Sequence, residues 1–136
     1  EIQSRNYNPI IEQHELAKFV VETISKVNPV LHSDLETYFP EVWSFLNEYF
    51  NGFVFQSLLS NLVRGQKEGV YHKNFKPEIV ARFFATRIDL IFDGELFPSS
   101  EFNFKEVYIE YVMYHVNSIV SERGKTILKN LDFKHL

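Results

Sequence analysis

Residues Asn61 to Phe92, NLVRGQKEGVYHKNFKPEIVARFFATRIDLIF, decide the fold. The stretch begins as the end of an apolar helix, and Gly69 is a residue that ends helices because it accepts the left-handed backbone conformation. A short turn over residues 69–74 follows. Pro77 then suits the first turn of a new helix, where its missing N–H costs nothing. The stretch therefore predicts two helices joined by a tight hinge.

A helix is predicted near the start of the chain. Residues 1–8 are polar and lack periodicity, so we interpret them as a linker or a frayed entry. The helix begins at Pro9, and apolar residues recur at helical spacing as far as Val27. Four charged residues occupy its predicted solvent face, namely Glu12, Glu15, Lys18 and Glu22.

A short helix over Pro29–Tyr38 comes next, with a break predicted near His32. Asn28 is one candidate cap for it. A capping box of Ser33 and Glu36 is the alternative, because this pair satisfies two backbone N–H groups at a helix start.

The longest helix begins at Pro40 and ends at the hinge. Its apolar residues cover most of the circumference, so we expect the helix to be central and buried on several sides. Gly52 interrupts it and permits a bend, since a glycine within a helix costs about 1 kcal/mol relative to alanine.

Two further helices are predicted after the hinge. The first covers Pro77–Asp93 and is ended by Gly94 and Pro98. The second covers Phe104–Glu122, with Asn103 as its cap and Gly124 as its stop. No strand-like alternation is present. We therefore predict one all-α domain over residues 1–136, a bundle of about five to seven helices without a β-sheet.

The composition excludes several classes of function. The chain has 136 residues, a formal net charge of −4 and no run of basic residues, so it is a poor candidate for contacting nucleic acid itself. It contains no cysteine, basic amphipathic segment, membrane-length apolar run or signal peptide. We expect a cytoplasmic protein without membrane contact. Because the chain begins at Glu1 and its only methionine is Met113, we also expect it to be part of a longer protein.

The sequence offers no catalytic chemistry. It contains neither a nucleophile elbow, nor a phosphate-binding loop, nor a dinucleotide fingerprint. The five histidines are dispersed without the i, i+4 spacing of a helical metal site. We therefore predict no enzyme activity, no catalytic residues, no metal and no cofactor. His115 is interpreted as a core or interface histidine, with a ligand-binding or pH-sensing role as the alternative.

A small-molecule pocket is predicted around the long helix. Its aromatic and polar residues suit an apolar pocket with a few polar groups, and Arg87 lies close enough to the apolar side to anchor an anionic ligand. The candidate ligand-binding residues are Phe19, Trp43, Phe50, Phe53, Gln56, Ser57 and Arg87. Plain core packing is the alternative for each aromatic residue, and an ion-paired surface side chain is the alternative for Arg87.

Several segments resemble the C-terminal half of TetR-family transcriptional regulators. They are PEVW at 40–43, NLVRGQKEGVY at 61–71, NFKPEIVAR at 74–82, Ile88–Asp89, LFP at 96–98 and Tyr114–His115 through Gly124. The resemblance covers most of residues 29–128. The sequence departs from it at Lys76, where relatives often have a helix-capping residue.

The resemblance implies an all-α effector-binding and dimerisation domain that follows a helix-turn-helix DNA-binding domain absent from this sequence. It also implies a homodimer through the last two long helices, in agreement with the broad apolar arc of Phe104–Glu122. The candidate interface residues are Phe84, Ile88, Ile91, Tyr108, Tyr111, Val112, His115 and Ile119.

On this reading an unknown, largely apolar effector would control DNA binding through the missing domain, and residues 69–74 would couple the ligand to the partner. The alternative function is a constitutive helical protein-interaction module without a small-molecule ligand.

Overall fold

The computed structural model describes residues 7–24 and 29–136, the side chains at positions 24 and 29–33 aside. These residues form six α-helices and one 3-10 helix, with no strand beyond a single isolated bridge. The prediction of an all-α fold is therefore confirmed. The helices are α1 (Pro9–Ile24), α2 (Pro29–Tyr38), α3 (Pro40–Lys67), α4 (Pro77–Arg87), the 3-10 helix (Ile88–Phe92), α5 (Phe104–Ile119) and α6 (Glu122–Leu128).

Proline begins each of the first four helices. This position suits proline because a helix leaves its first N–H groups without intrahelical partners. Asn8 adds a cap to α1, since its side-chain oxygen accepts a hydrogen bond from the Ile10 N–H at 3.0 Å. Asn103 caps α5 as predicted, accepting from the N–H groups of Lys105 and Glu106.

The start of the second helix differs in part from the prediction. α2 runs without interruption from Pro29, so there is no break at His32 and the helix does not begin at Ser33. The alternative cap, Asn28, lies outside the described residues, as do Val27 and most of the predicted linker over residues 1–8. Of that linker the structure describes Tyr7 and Asn8.

α3 continues through Gly52 without ending, but only its second half is enclosed. Its buried residues all lie between Leu58 and Gly65. Phe45 and Tyr49, in the first half, are each about two-thirds exposed. The prediction that this helix is buried on several sides is therefore wrong for its first half. α3 has 28 residues and, at about 1.5 Å per residue, is longer than any of its neighbours. The neighbouring helices therefore leave part of it uncovered.

The hinge after α3 is a Schellman motif. Gly69 adopts a left-handed backbone with φ of 78°. Its N–H bonds to the Gln66 carbonyl at 3.2 Å, and the Val70 N–H bonds to the Gly65 carbonyl at 3.0 Å. These bonds satisfy carbonyls that the helix end leaves free, and they turn the chain back so that Tyr71 faces the bundle.

The segment after the hinge meets the end of α5. Tyr71 and Val120 form the isolated antiparallel bridge, and the Ser121 N–H bonds to the Val70 carbonyl at 3.0 Å. This pairing ends α5 at Ile119 rather than near Glu122. The prediction that Gly124 stops the helix is wrong, because Ser121 caps a new helix, α6, in which Gly124 is buried.

The helix predicted over Pro77–Asp93 changes type partway. α4 ends at Arg87, and the chain continues as the 3-10 helix to Phe92. The Asp93 side chain then accepts hydrogen bonds from the N–H groups of Glu95 and Leu96. The predicted boundary near Gly94 is thus correct, although the last turn and a half is wound more tightly than an α-helix.

The core lies between α1, the second half of α3 and α5. α4 packs along α3, and Phe133 of the C-terminal segment closes one side. The largest buried side chains at its centre are Ile10, Leu62, Val70, Tyr71, Val116, Ile119 and Phe133. None of the described helices combines the length and the apolar character needed to span a bilayer.

Candidate functional site

A buried polar cluster joins α1, α3 and the hinge, and we call it the α1–α3 polar cluster. It consists of Glu12 and Gln13 from the first turns of α1, Asn61 and Arg64 one turn apart on α3, and Tyr71 after the hinge. Glu12, Asn61 and Tyr71 are each at most 2 % exposed. A polar group removed from water must find partners within the protein, and these five residues supply most of them to one another.

Two donors meet at the side-chain amide oxygen of Asn61. The Tyr71 hydroxyl donates to Asn61 Oδ1 at 2.7 Å, and Gln13 Nε2 donates to the same atom at 2.8 Å. Gln13 Nε2 also donates to the Tyr71 hydroxyl oxygen at 2.9 Å. The three groups therefore form a closed triangle of hydrogen bonds that joins α1, α3 and the hinge.

Asn61 extends this triangle to the start of α1. Its Nδ2 donates to the Pro9 carbonyl at 2.9 Å and to Glu12 Oε1 at 3.1 Å. Both hydrogens of the amide and its oxygen thus have partners. A single side chain on α3 fixes the position of the first turn of α1.

An ion pair completes the cluster. Arg64 Nη2 lies 2.7 Å from Glu12 Oε2 and also donates to the Tyr7 carbonyl at 2.9 Å. The Glu12 carboxylate is 3 % exposed and the Arg64 side chain 27 %. A buried carboxylate without a partner is strongly unfavourable, so Arg64 holds both Glu12 and the backbone before α1. Glu12 is predicted on the solvent face, and that prediction is wrong because Arg64 satisfies its charge inside.

The protonation of Tyr71 follows from its surroundings. Burial raises the pKa of the Tyr71 phenol far above its ordinary value, although the hydrogen bond from Gln13 acts in the opposite direction. The hydroxyl therefore stays protonated and keeps its donor role toward Asn61. The arrangement holds elements together and presents no activated nucleophile.

A second buried polar group lies on the other side of the core. His115 on α5 is 7 % exposed, and its Nε2 has no hydrogen-bond partner among the described residues. The ring lies 4.4 Å from that of Phe84 on α4. Burial lowers the pKa of His115 to about 4, so the imidazole is neutral near pH 7. The nearby Tyr111 hydroxyl donates to the Phe84 carbonyl.

The structure does not gather the candidate ligand-binding residues into one enclosed pocket within the described chain. Phe19, Phe50, Phe53, Gln56 and Arg87 are exposed, whereas Trp43 and Ser57 are half-buried. The Arg87 guanidinium lies 5.4 Å from the centre of the Phe83 ring. This cation–π contact within the protein explains the position of Arg87 without a ligand.

Two open grooves lie on the described surface. One, of about 410 Å³, runs along α3 and includes Gln56 of the candidate set beside Leu59, Ser60, Val63, Arg64 and Lys67. The other, of about 420 Å³, lies between α5 and the C-terminal segment and contains none of the candidate residues. Both grooves are wide open to solvent, so the predicted binding site stays a prediction.

The candidate dimer-interface residues face inward. Ile91, Tyr108, Val112, His115 and Ile119 are buried within this chain, and the remaining three, Phe84, Ile88 and Tyr111, are half-buried. They pack around the contact between α4, the 3-10 helix and α5. A partner that docks on these helices would therefore meet their exposed neighbours, such as Phe83 and Tyr114.

Sequence reasoning did not find the α1–α3 polar cluster. The signal was present in Asn61, a polar residue among the apolar positions Leu58 and Leu62 on the buried face of α3. Its partners on α1 lie about fifty residues earlier in the chain, and Tyr71 lies beyond the hinge, so local periodicity cannot identify them. Among the described residues, no three His, Asp or Glu side chains are placed to hold a metal ion.

Comparisons of the chain with protein-family models, curated proteins and solved structures gave no match. The likeness to TetR-family regulators therefore depends on the sequence segments quoted above. Two of the glycines in those segments have a clear structural role. A side chain at Gly65 would collide with the Tyr71 ring, and one at Gly124 would collide with the Val70 carbonyl.

Proposed function

We propose that this chain is the effector-sensing and dimerisation domain of a TetR-like transcriptional regulator. It binds a small, largely apolar ligand and controls DNA binding by a helix-turn-helix domain N-terminal to α1. The regulator acts in the cytoplasm as a homodimer, without a cofactor or a catalytic step of its own. DNA is contacted only through the N-terminal domain.

One observation supports this proposal above the others. The α1–α3 polar cluster binds the first turn of α1, the element nearest to the proposed DNA-binding domain, to α3 and to Tyr71 after the hinge. A movement of α3 or of the hinge is thereby passed to the start of α1. The resemblance to TetR-family regulators includes the same hinge.

The mechanism is a shift between two positions of the N-terminal side of the domain, in which the second half of α3, the hinge and the start of α1 move together. A ligand changes their populations only if it binds one arrangement more tightly than the other. The exposed aromatic residues of α3 and the groove beside Gln56 supply apolar contact, and closure of α2 over them would enclose the ligand. The displaced α1 would then alter the spacing of the two DNA-reading helices in the dimer.

The proposed homodimer forms through α4 and α5. Each of these helices leaves large apolar side chains exposed, among them Ile79, Phe83 and Tyr114. Paired across a two-fold axis, they would form the four-helix arrangement that the resemblance implies, over the buried contact of Phe84 with His115.

A thermal-shift screen with apolar and amphipathic small molecules tests the sensing function. A ligand at a hundred times its dissociation constant stabilises the folded state by about 2.7 kcal/mol. The Phe50→Ala variant should lose much of this shift. Leu96→Ala serves as the control, because Leu96 is half exposed and lies outside both the candidate site and the proposed dimer surface.

A constitutive helical interaction module is the second candidate. The exposed apolar residues in the first half of α3 favour it, since soluble monomers rarely leave such a surface uncovered. The absence of any stabilising compound across a broad panel would support this candidate over the sensor.

A further inference from the structure

The first half of α3 carries a continuous exposed apolar seam. Its four residues are Val42, Leu46, Tyr49 and Phe53, and we call them the α3 seam. Their exposed fractions run from 39 % at Leu46 to 66 % at Tyr49. Residues at spacings of four, three and four lie on one side of an α-helix and repeat the pattern by which helices pair in coiled coils.

Further apolar side chains flank the seam on both sides. Phe45 borders one edge and Phe50 the other, and Tyr38 and Phe39 extend the surface at the junction with α2; all four are exposed. An aromatic side chain buries roughly 150–250 Å² when fully covered. With six aromatic residues each more than half exposed, the surface amounts to roughly 600 Å², close to the approximately 800 Å² per partner of a stable interface.

The charge of this face favours an uncharged partner. Between Pro40 and Val63 the only charged residues are Glu41 and Glu48, and neither belongs to the seam. The core of a protein interface is depleted in charge in the same way. An acidic partner would gain no ion pair from this part of α3, and a basic one could pair only with Glu41 and Glu48 outside the seam, whereas a second copy matches the uncharged seam.

The order of residues along the seam is complementary to itself when reversed. Its first two residues are aliphatic and its last two aromatic. Antiparallel pairing sets Val42 against Phe53 of the second copy and Leu46 against Tyr49 of the second copy, so that each layer combines a small side chain with a large one. Parallel pairing would instead place Phe53 against Phe53 and Val42 against Val42, giving layers of unequal width.

We propose that the α3 seam is an isologous interface, in which the α3 helices of two copies of this chain pack antiparallel. The two-fold axis crosses the seam at the level along the helix that lies midway between Asn47 and Glu48. The surface is separate from the exposed side chains of α4 and α5 named for the proposed regulator dimer. Phe53 also belongs to the candidate ligand-binding residues, so a ligand bound there would compete with this pairing. The test of the interface requires neither effector nor DNA.

Disulfide cross-linking tests the register, because the chain contains no cysteine and each introduced thiol is the only one. Two variants, Val42→Cys and Phe53→Cys, are prepared with different tags, mixed and mildly oxidised. A disulfide requires Cα atoms within about 7 Å. The mixed sample should give a covalent heterodimer. Each variant alone should give little product, because eleven residues of helix separate its two copies by about 16 Å along the axis.

A matched pair of cysteines controls for random collision. Ser44→Cys and Asn51→Cys occupy the same level of the antiparallel pair but lie on the opposite side of α3, so their mixture should not cross-link. Self-linking of Val42→Cys at the rate of the mixture would indicate parallel pairing and overturn the proposal. Equal cross-linking of the control pair, or no product in any sample, would overturn it as well.

Light scattering supplies an independent measurement. Tyr49→Lys places a charge in the seam and should lower the molar mass at least twofold under conditions where the unmodified chain associates. Glu48→Lys introduces a lysine at the neighbouring exposed position and should leave the mass unchanged. Circular dichroism of both variants establishes that the helices are retained. An unchanged mass for folded Tyr49→Lys would contradict the interface.

Discussion

The Tyr71 hydroxyl donates a 2.7 Å hydrogen bond to Asn61 Oδ1, and both residues are about 1 % exposed. This bond links the segment after the hinge to the buried face of α3. Gln13 of α1 donates to both groups. Three parts of the chain that are distant in sequence are thereby held by one closed set of polar contacts. The stability of the core therefore depends on a few polar atoms as well as on its apolar packing.

Removal of the Tyr71 hydroxyl should weaken the fold. The variant Tyr71→Phe keeps the ring but takes away one donor to Asn61 and one acceptor for Gln13. We expect a loss of about 1–3 kcal/mol in the free energy of unfolding, because buried polar groups are left with fewer partners. Urea unfolding measures this. Tyr114→Phe is the control, since Tyr114 is 82 % exposed, and it should change little. Equal stability of the two variants would contradict the role of the triangle.

Two glycines of α3 should respond to alanine in opposite directions. A Cβ at Gly65 would collide with the ring of Tyr71, which is fixed by its hydrogen bonds, so Gly65→Ala should destabilise the protein by about 1–3 kcal/mol. Gly52 has no atom within 4 Å of the added Cβ. Gly52→Ala should stabilise α3 by about 0.5–1 kcal/mol, since alanine has the higher helix propensity. Thermal melts of both variants test the contrast, which fails if both changes have the same sign.

Arg64 should matter far more than an exposed arginine. Arg64→Ala leaves the buried Glu12 carboxylate without its partner, at a cost of about 3–5 kcal/mol. Arg82→Ala breaks an ion pair with Glu78 in which both side chains are more than 60 % exposed, and it should cost less than about 1 kcal/mol.

A second substitution separates the effect of the unpaired Glu12 charge on stability from the effect of the lost Arg64 side chain. Glu12→Gln in the Arg64→Ala background removes the unpaired charge and should recover part of the lost stability. If the double variant unfolds as readily as Arg64→Ala alone, the loss does not originate in the buried carboxylate.

The sequence predicted those parts of the fold that depend on local chemistry. Proline at the first helical position, the side chain of Asn103 and the left-handed backbone of Gly69 act within a few residues, and all three boundaries are confirmed. The helix stop predicted at Gly124 failed because α5 ends where Val120 pairs with Tyr71. That contact spans about fifty residues, and no local pattern contains it.

The candidate site was less predictable than the fold for a similar reason. Glu12 has the spacing of a solvent-facing residue on α1. Its burial is favourable only because Arg64 of α3 forms an ion pair with it. Phe50 and Phe53 are residue types that often line a pocket, and both are exposed. Whether an exposed aromatic residue contacts a ligand or another chain depends on molecules that one sequence does not specify. Periodicity identified which side chains are apolar, and tertiary contacts decided which are covered.

His115 should make the protein sensitive to acid. Its pKa is about 4 in the folded state, below the ordinary value of 6.5 that applies to the unfolded chain. Above pH 6.5 both states are neutral and this group contributes no pH dependence. Between pH 6.5 and about 4 the unfolded chain binds a proton that the folded protein does not. Stability therefore falls as the pH falls, by about 3 kcal/mol in all.

The variant His115→Phe should remove this part of the acid sensitivity, because a phenylalanine keeps an aromatic ring against Phe84 but does not titrate. The measurement is urea unfolding at a series of pH values between 7 and 4. His135→Gln is the control: its imidazole is 82 % exposed and pairs with Asp132 at the surface, so its loss should change the pH dependence much less than the loss of His115. A curve for His115→Phe as steep as that of the unmodified chain would place the acid sensitivity in other groups. A flatter curve would identify the burial of His115 as its cause, since desolvation of the charged imidazole is the only difference that the substitution removes from the titration.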